Sequence, residues 1–214
     1  MRDKFLTNGN DVFIGDDLEN FVFGLDGDDT IYGNGAFDFL IGGAGNDLLF
    51  GGANTDELRG EDGNDRLFGG DGDDRLSGGK GNDVIKGDKG ADFIDGGRGA
   101  DRLFGGAGLD TIRGGSGADV ISGGPAKNDF DFIYGGAGRD RFVFANNGST
   151  ADIKDFTHGV DVLDLRAISH VHSMADLHFI QTPAGVTCSY DTGDIRLTSV
   201  SLAQLDSGDF LFHK

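Results

Sequence analysis

The chain has one cysteine, Cys188, no tryptophan, and only three glutamates among its 37 acidic residues. A lone thiol excludes an intramolecular disulfide, so folding depends on no oxidising step. Basic residues number 18, leaving a net charge of −19 that repels itself in any compact state and disfavours polyanionic partners, nucleic acid included. No apolar run is long enough to span a bilayer. The opening MRDKFLTNGND has no apolar stretch behind its charges and does not read as a cleaved secretory signal. Catalytic signatures are missing too: there is no H-E-x-x-H and no G-x-S-x-G, and no Gly-Lys-Ser/Thr follows the glycine runs. The expectation is a protein that is not an enzyme.

What is present is a period. From Leu6 to Val143 a nine-residue unit recurs fifteen times, as in Gly42–Phe50 (GGAGNDLLF) and Gly78–Lys86 (GGKGNDVIK). The eighth position is apolar in every row, from Phe13, Val22 and Ile31 to Ile133 and Phe142. The sixth is Asp in fourteen rows, with Asn20 the exception, and the first is Gly in fourteen, with Leu6 the exception. Gly-Gly-x-Gly-x-Asp can turn tightly because glycine reaches positive φ without steric cost. The last three positions form a short strand whose middle side chain points inward. So short a strand buries no core alone, so rows must stack. Two rows per lap give a flattened coil, with odd rows (Leu6, Gly24, Gly42 and onward) along one side and even rows (Gly15, Gly33, Gly51 and onward) along the other.

Thirty-four of the acidic residues are Asp. A short carboxylate on a glycine turn suits a hard cation that takes six to eight oxygens, carbonyls included. One loop offers too few ligands, and two stacked loops offer enough. Magnesium demands a strict octahedron, and zinc or copper would need Cys or His, which the repeats lack. The alternative, Asp making local turn bonds to the backbone, suits an isolated loop better than fourteen in register. Calcium is the expected ligand.

The repeat resembles the RTX proteins, with their nonapeptide GGxGxDxUx. That resemblance implies an all-β fold: a right-handed parallel β-roll over 6–143, followed by a small C-terminal β cap over 144–214. It further implies that carbonyls at positions two and four and the Asp of one loop meet carbonyls at positions one and three and the Asp of the next same-side loop. Carried over, one site is Gly43, Gly45 and Asp47 with Gly60, Asp62 and Asp65, and the next is Glu61, Gly63 and Asp65 with Gly78, Lys80 and Asp83. The same scheme takes in Thr7, Gly9 and Asp11, then Gly24, Leu25, Asp26, Gly27 and Asp29, then Gly42 and Ala44. Above these come Gly79 and Gly81, then Gly96, Gly97, Arg98, Gly99 and Asp101, then Gly114, Gly115, Ser116, Gly117 and Asp119, and finally Gly135, Ala137 and Asp140. On the even side it selects Gly70, Gly72 and Asp74, then Gly87, Asp88, Lys89, Gly90 and Asp92, then Gly105, Ala107 and Asp110.

Eight odd loops leave seven gaps. Leu18, Ala36 and Asn54 at position four, Asn20 in place of Asp, and three extra residues around Pro125 interrupt the even side. A non-Gly residue at positive φ costs on the order of 1 kcal/mol. Two even gaps are therefore expected, and about nine Ca²⁺ in all.

Metal-linked folding follows from the charge and the thin core. The resemblance implies export by type I secretion machinery through an uncleaved C-terminal signal, with folding outside the cell. Two readings stand. One is a secreted calcium-binding protein or adhesin complete at this length, acting on a cell surface or extracellular polysaccharide. The other is the calcium module of a larger extracellular enzyme, of polysaccharide epimerase or protease type.

Beyond Val143 the period stops. Strands are expected near Ile153–Phe156, Val160–Leu165, His178–Gln181, Val186–Tyr190, Asp194–Val200 and Phe210–Phe212, with helical turns at Ser173–Leu177 and Ser201–Leu205. The segments Ile153–Phe156, Gly159–Leu165 and Asp209–Phe212 resemble the cap motifs of serralysin-type chains. His170-x-His172 has no evident third ligand, so polar surface roles are expected there. In the first five rows the outward positions are apolar, notably Phe21, Phe23, Tyr32, Phe39 and Phe50. The expectation is that a missing N-terminal domain, a second copy of the chain or a folded-back segment covers them; cross-strand stacking alone is the alternative.

Overall fold

The structure, a computed structural model, describes residues 3–124, 130–145, 150–190 and 193–213. The extra residues around Pro125 and the turn residue Thr192 lie outside them. The described chain is all β apart from short 3₁₀ turns. Twelve strands form one sheet and ten the other, each sheet taking every second strand of the roll.

Most strands of the roll are twice as long as the sequence reading expects, although Val12–Ile14 and Val120–Ser122 keep three residues. Leu48–Ala53 and Glu57–Asp62 each run six residues, through positions seven to nine and on into positions one to three of the next row. Only positions four to six remain for the turn. Pairing is parallel at a spacing of two rows, as in Leu40 with Leu58 and Leu58 with Leu76. That register stacks the eighth-position side chains into a continuous interior, buried at every row from Val22 to Phe142. Phe13, in the outermost lap, is only partly buried.

The glycines do two different things. At positions two and four they take positive φ, as at Gly43 (+117°) and Gly45 (+136°). At position one the need is space: a Cβ on Gly42 would lie 2.2 Å from Oδ2 of Asp47.

Loss of the period at Val143 does not interrupt the sheets. Thr150–Ile153 pairs in parallel with Phe130–Ala137, and Val162–Ala167 pairs with Arg141–Ala145. The strand expected at Ile153–Phe156 is thus Thr150–Ile153. One sheet then ends in the meander of Gly193–Thr198, Gly185–Tyr190 and His178–Thr182. The other ends on Phe210–Leu211. Helical turns form at Met174–Asp176 and Leu202–Gln204, within the two expected segments.

Candidate metal columns

The turns stack into two columns, one along each edge of the coil, in which the sixth-position residue, Asp except for Asn20, recurs every eighteen residues and every twenty-one toward the far end. In every interior row one carboxylate oxygen, Oδ1, accepts the backbone N–H of the Asp one lap earlier. Asp29 N–H donates to Asp47, Asp47 to Asp65 and Asp65 to Asp83, all at 2.8 Å. The Asp side chains therefore do bond backbone, but between laps rather than within their own turns.

The second oxygen is the informative one. Oδ2 of Asp29, Asp47, Asp65, Asp83, Asp101, Asp119 and Asp140 on the odd side is buried without a hydrogen-bond partner. The same holds for Asp38, Asp56, Asp74 and Asp92 on the even side. A buried acceptor left unpaired costs about 1–3 kcal/mol, more when charged. Burial accordingly pushes the carboxyls up: Asp47, Asp83, Asp92, Asp101, Asp119 and Asp140 to about 6, and Asp56, Asp65 and Asp74 to about 7.

Backbone carbonyls converge on the same gaps. A Cβ on Gly43 would lie 2.0 Å from the carbonyl oxygen of Leu25, and one on Gly63 would lie 1.6 Å from that of Gly45. Carbonyls at positions two and four thus face the next lap. Those at position one face the previous lap: a Cβ on Gly24 would meet Gly42 O at 2.2 Å. Position-three carbonyls also face back, accepting 2.8 Å bonds from position-four amides, Gly45 N–H to Asp62 O and Gly63 N–H to Lys80 O. Each retains a second lone pair. The gap between the Gly42 and Gly60 rows is therefore walled by Gly43, Gly45 and Asp47 below and by Gly60, Asp62 and Asp65 above.

Lys80 and Lys89 present only their carbonyls to the gaps, since their ammonium groups lie outside on Asp62 and Asp71. Among the described residues no three His, Cys, Asp or Glu side chains cluster as a metal site. Carbonyls must supply most of the oxygens, and oxygen-only gaps with two carboxylates fit calcium.

The RTX calcium-binding nonapeptide repeat (four copies) matches residues 6–40, 32–67, 68–103, 95–125 and 126–146. The chain belongs to this RTX calcium-binding repeat family. No match was found among curated proteins. Similar solved structures include the extracellular lipase LipA from Serratia marcescens, at 19% identity and a TM-score of 0.38, covering 82% of this chain and 40% of that one. Another is the AlgE6R3 subunit of the Azotobacter vinelandii mannuronan C5-epimerase, at 21% identity and a TM-score of 0.34, covering 74% and 78%. The chain thus spans less than half the length of the lipase.

The even-side RTX loops are better formed than the sequence reading expects. Ala36 and Asn54 take the left-handed conformation anyway, at φ of +66° and +76°. Leu25, Asn34, Glu61 and Asp88 do the same at position two. The ladder on either side holds these turns, and its bonds outweigh a local cost on the order of 1 kcal/mol. The even-side carboxylate-to-amide chain runs unbroken from Asp131 through Asp110, Asp92, Asp74, Asp56 and Asp38 to Asn20.

The first odd loop departs the other way. Thr7, read as a ligand, donates its N–H and its hydroxyl to Oδ2 of Asp11, both at 2.7 Å. Those bonds, side chain first, hold the Asp11 carboxyl below its usual range. At the far end the odd column gains a member the sequence reading missed. Asp140 N–H donates to Oδ1 of Asp161 at 2.9 Å, and Thr157 N–H closes Asp161 Oδ2 at 2.7 Å. Gly159-x-Asp161-x-Leu163 carries the end of the repeat pattern and was the available signal.

The aromatic side chains of the first rows form ladders. Phe23 stacks on Phe5 with centroids 4.7 Å apart, and Phe50 stacks on Tyr32 at 4.7 Å and on Phe68 at 4.9 Å. Phe21 and Phe39 lie 6.0 Å apart, and Arg59 sits over Phe39. Phe21, Phe23, Tyr32, Phe39 and Phe50 are half-buried, whereas Phe5 is 60% exposed and Val12 and Ile14 about 70%. The C-terminal strands join the opposite end of the stack. Of the histidines, His158 contacts buried Asp209 at 2.9 Å, and His172 stacks on His213.

Proposed function

We propose that this RTX chain is a secreted, non-catalytic calcium-binding β-roll that folds on meeting extracellular calcium. The columns of buried carboxylate oxygens with no protein donor carry that reading. Without a cation they oppose the fold, and with one they become its ligands. Among the described residues nine gaps are bounded on both sides by such an oxygen: six on the odd side from Asp29 to Asp140 and three on the even side from Asp38 to Asp92. Nine Ca²⁺ there would bring +18 against the −19 of the chain.

Loops of the extracellular kind bind at about 10⁻⁴–10⁻³ M. The reading therefore places the folded protein outside the cell and leaves the chain unfolded for type I export, acting afterwards at a cell surface or on extracellular polysaccharide. Circular dichroism and hydrodynamic radius followed through a calcium titration test it. Both should change together at millimolar Ca²⁺ and not with Mg²⁺, and a chain already compact and β-rich in chelator refutes it.

One observation favours a second reading. Among the described residues the first lap is the edge of both sheets, with Phe13 partly open, Val12 and Ile14 exposed, and the strands Asp3–Phe5 and Val12–Ile14 each paired on one side only. Solenoid ends need covering. A partner domain of a larger extracellular enzyme, or a second copy of the chain, would serve. The oligomeric state in calcium, by light scattering on a sizing column, tests the second of these: a stable dimer points to the second copy, and a monomer rules it out.

A further inference from the structure

The even-side column has a protein-made end. In every ordinary row Oδ2 of the Asp lies against the position-one glycine, and in the Gly15 row that place is taken by Nδ2 of Asn20, 2.8 Å from where a Cβ on Gly15 would be. The amide nitrogen is within hydrogen-bond reach of three acceptors. It donates to Leu18 O at 2.6 Å, to Asp38 Oδ1 at 2.8 Å and to Gly33 O, more loosely, at 3.3 Å. With acceptors on every side, the nitrogen and not the oxygen of the amide must face them.

These three groups are a position-four carbonyl from the lap below, a position-one carbonyl from the lap above and the Asp of the lap above. They are half of the oxygen set that walls each RTX gap. Resting on the calcium reading, we propose that the side-chain amide of Asn20 occupies the first even-side gap in place of a calcium ion and so fixes where the even column of ions begins. The amide brings two N–H donors without net charge, so Leu18 O and Asp38 Oδ1 are met and the site is closed to the cation by the same bonds, while Asp38 Oδ2 is left to the gap above. Backbone agrees with this division of labour. Leu18 at position four has not taken the left-handed conformation that Ala36 and Asn54 adopt one and two laps on. A hydrogen bond from its amide to Asp16 Oδ1 holds the turn in another shape. The first lap can therefore form with no metal in that gap, while the gaps above it cannot satisfy their carboxylates unaided.

The test is an ion-by-ion census of the full chain crystallised from calcium chloride, read from anomalous scattering, beside Asn20→Asp and the double variant Asn20→Asp/Leu18→Gly. Wild type should show no ion among Leu18 O, Gly33 O and Asp38, with ions in the gaps above. Asn20→Asp should gain one ion there, and metal analysis of the dialysed protein should rise by one calcium per chain. An ion beside Asn20 in wild type overturns the assignment. So does an Asn20→Asp chain with no added ion while the upper gaps are filled, or a gain seen only when Leu18 is also replaced. If the variant fails to fold, the wild-type density decides alone. Gaps empty throughout would overturn the calcium reading itself, a result distinct from any of these.

Discussion

Protons should be able to do part of calcium's work in this chain. Nine RTX aspartates, Asp47, Asp56, Asp65, Asp74, Asp83, Asp92, Asp101, Asp119 and Asp140, have carboxyls raised from 3.8 to about 6 or about 7 in the folded, metal-free roll. Between 3.8 and those values the folded state holds protons that the unfolded state has released, so stability falls as pH rises through this window. Each pKa unit is about 1.4 kcal/mol. Halved for the water that reaches the turns, the shifts still come to roughly 1.5–2 kcal/mol per carboxylate at pH 7. Over nine residues that is about 15 kcal/mol, as large as the whole stability of an ordinary domain. The chelated chain should therefore be unfolded at pH 7.5 and gain structure as pH is lowered toward 5.

With calcium the sign reverses, because protons now compete with the ion for the same oxygens. At 100 times its dissociation constant one ion contributes about 2.7 kcal/mol, enough to offset the penalty of the carboxylate it meets. The assay is the thermal midpoint by far-ultraviolet circular dichroism from pH 7.5 to 5, in chelator and in 10 mM CaCl₂. The two curves should slope in opposite directions and converge at the acid end. A chelated chain equally folded at pH 7.5 and pH 5, or parallel slopes in the two buffers, refutes the reasoning.

Three further outcomes are expected. Asp83→Asn puts an amide donor where Oδ2 was, in the manner of Asn20; it should lower the calcium count while raising stability in chelator by about 1–3 kcal/mol, checked by metal analysis and urea unfolding. Gly81→Ala, at φ of +128° with a Cβ 1.7 Å from Gly63 O, should cost well over 1 kcal/mol in calcium, whereas Ala36→Gly should stabilise by up to about 1 kcal/mol. Serine at Phe21, Phe39 and Phe50 together should abolish any dimer seen on a sizing column while leaving the calcium count unchanged; if wild type is a monomer and the triple variant only melts earlier, the aromatic ladders are sheet stabilisation alone.

Much of this protein is legible in its residue order. An apolar eighth position and a lap of two rows are enough to stack Val22, Leu40 and Leu58 on one another, because a three-residue strand has no other way to bury its side chain. Asp at every sixth position then has to form a column at each edge. Other features depend on groups that meet only across laps. Position-one glycines look like turn residues in the sequence, and only stacking shows that Gly42 is small because the Asp47 carboxylate lies against it. Propensity argued against Ala36 and Asn54 in left-handed turns, yet ladders above and below hold them there. Asp161 sits past the visible period, and its place in the odd column comes from the amide of Asp140, twenty-one residues earlier. Asn20 read as a lost ligand; the structure shows what its amide meets, two carbonyls and a carboxylate contributed partly by the next lap. Local order sets the period and the chemistry of each turn, but whether a polar atom finds a donor is decided between laps.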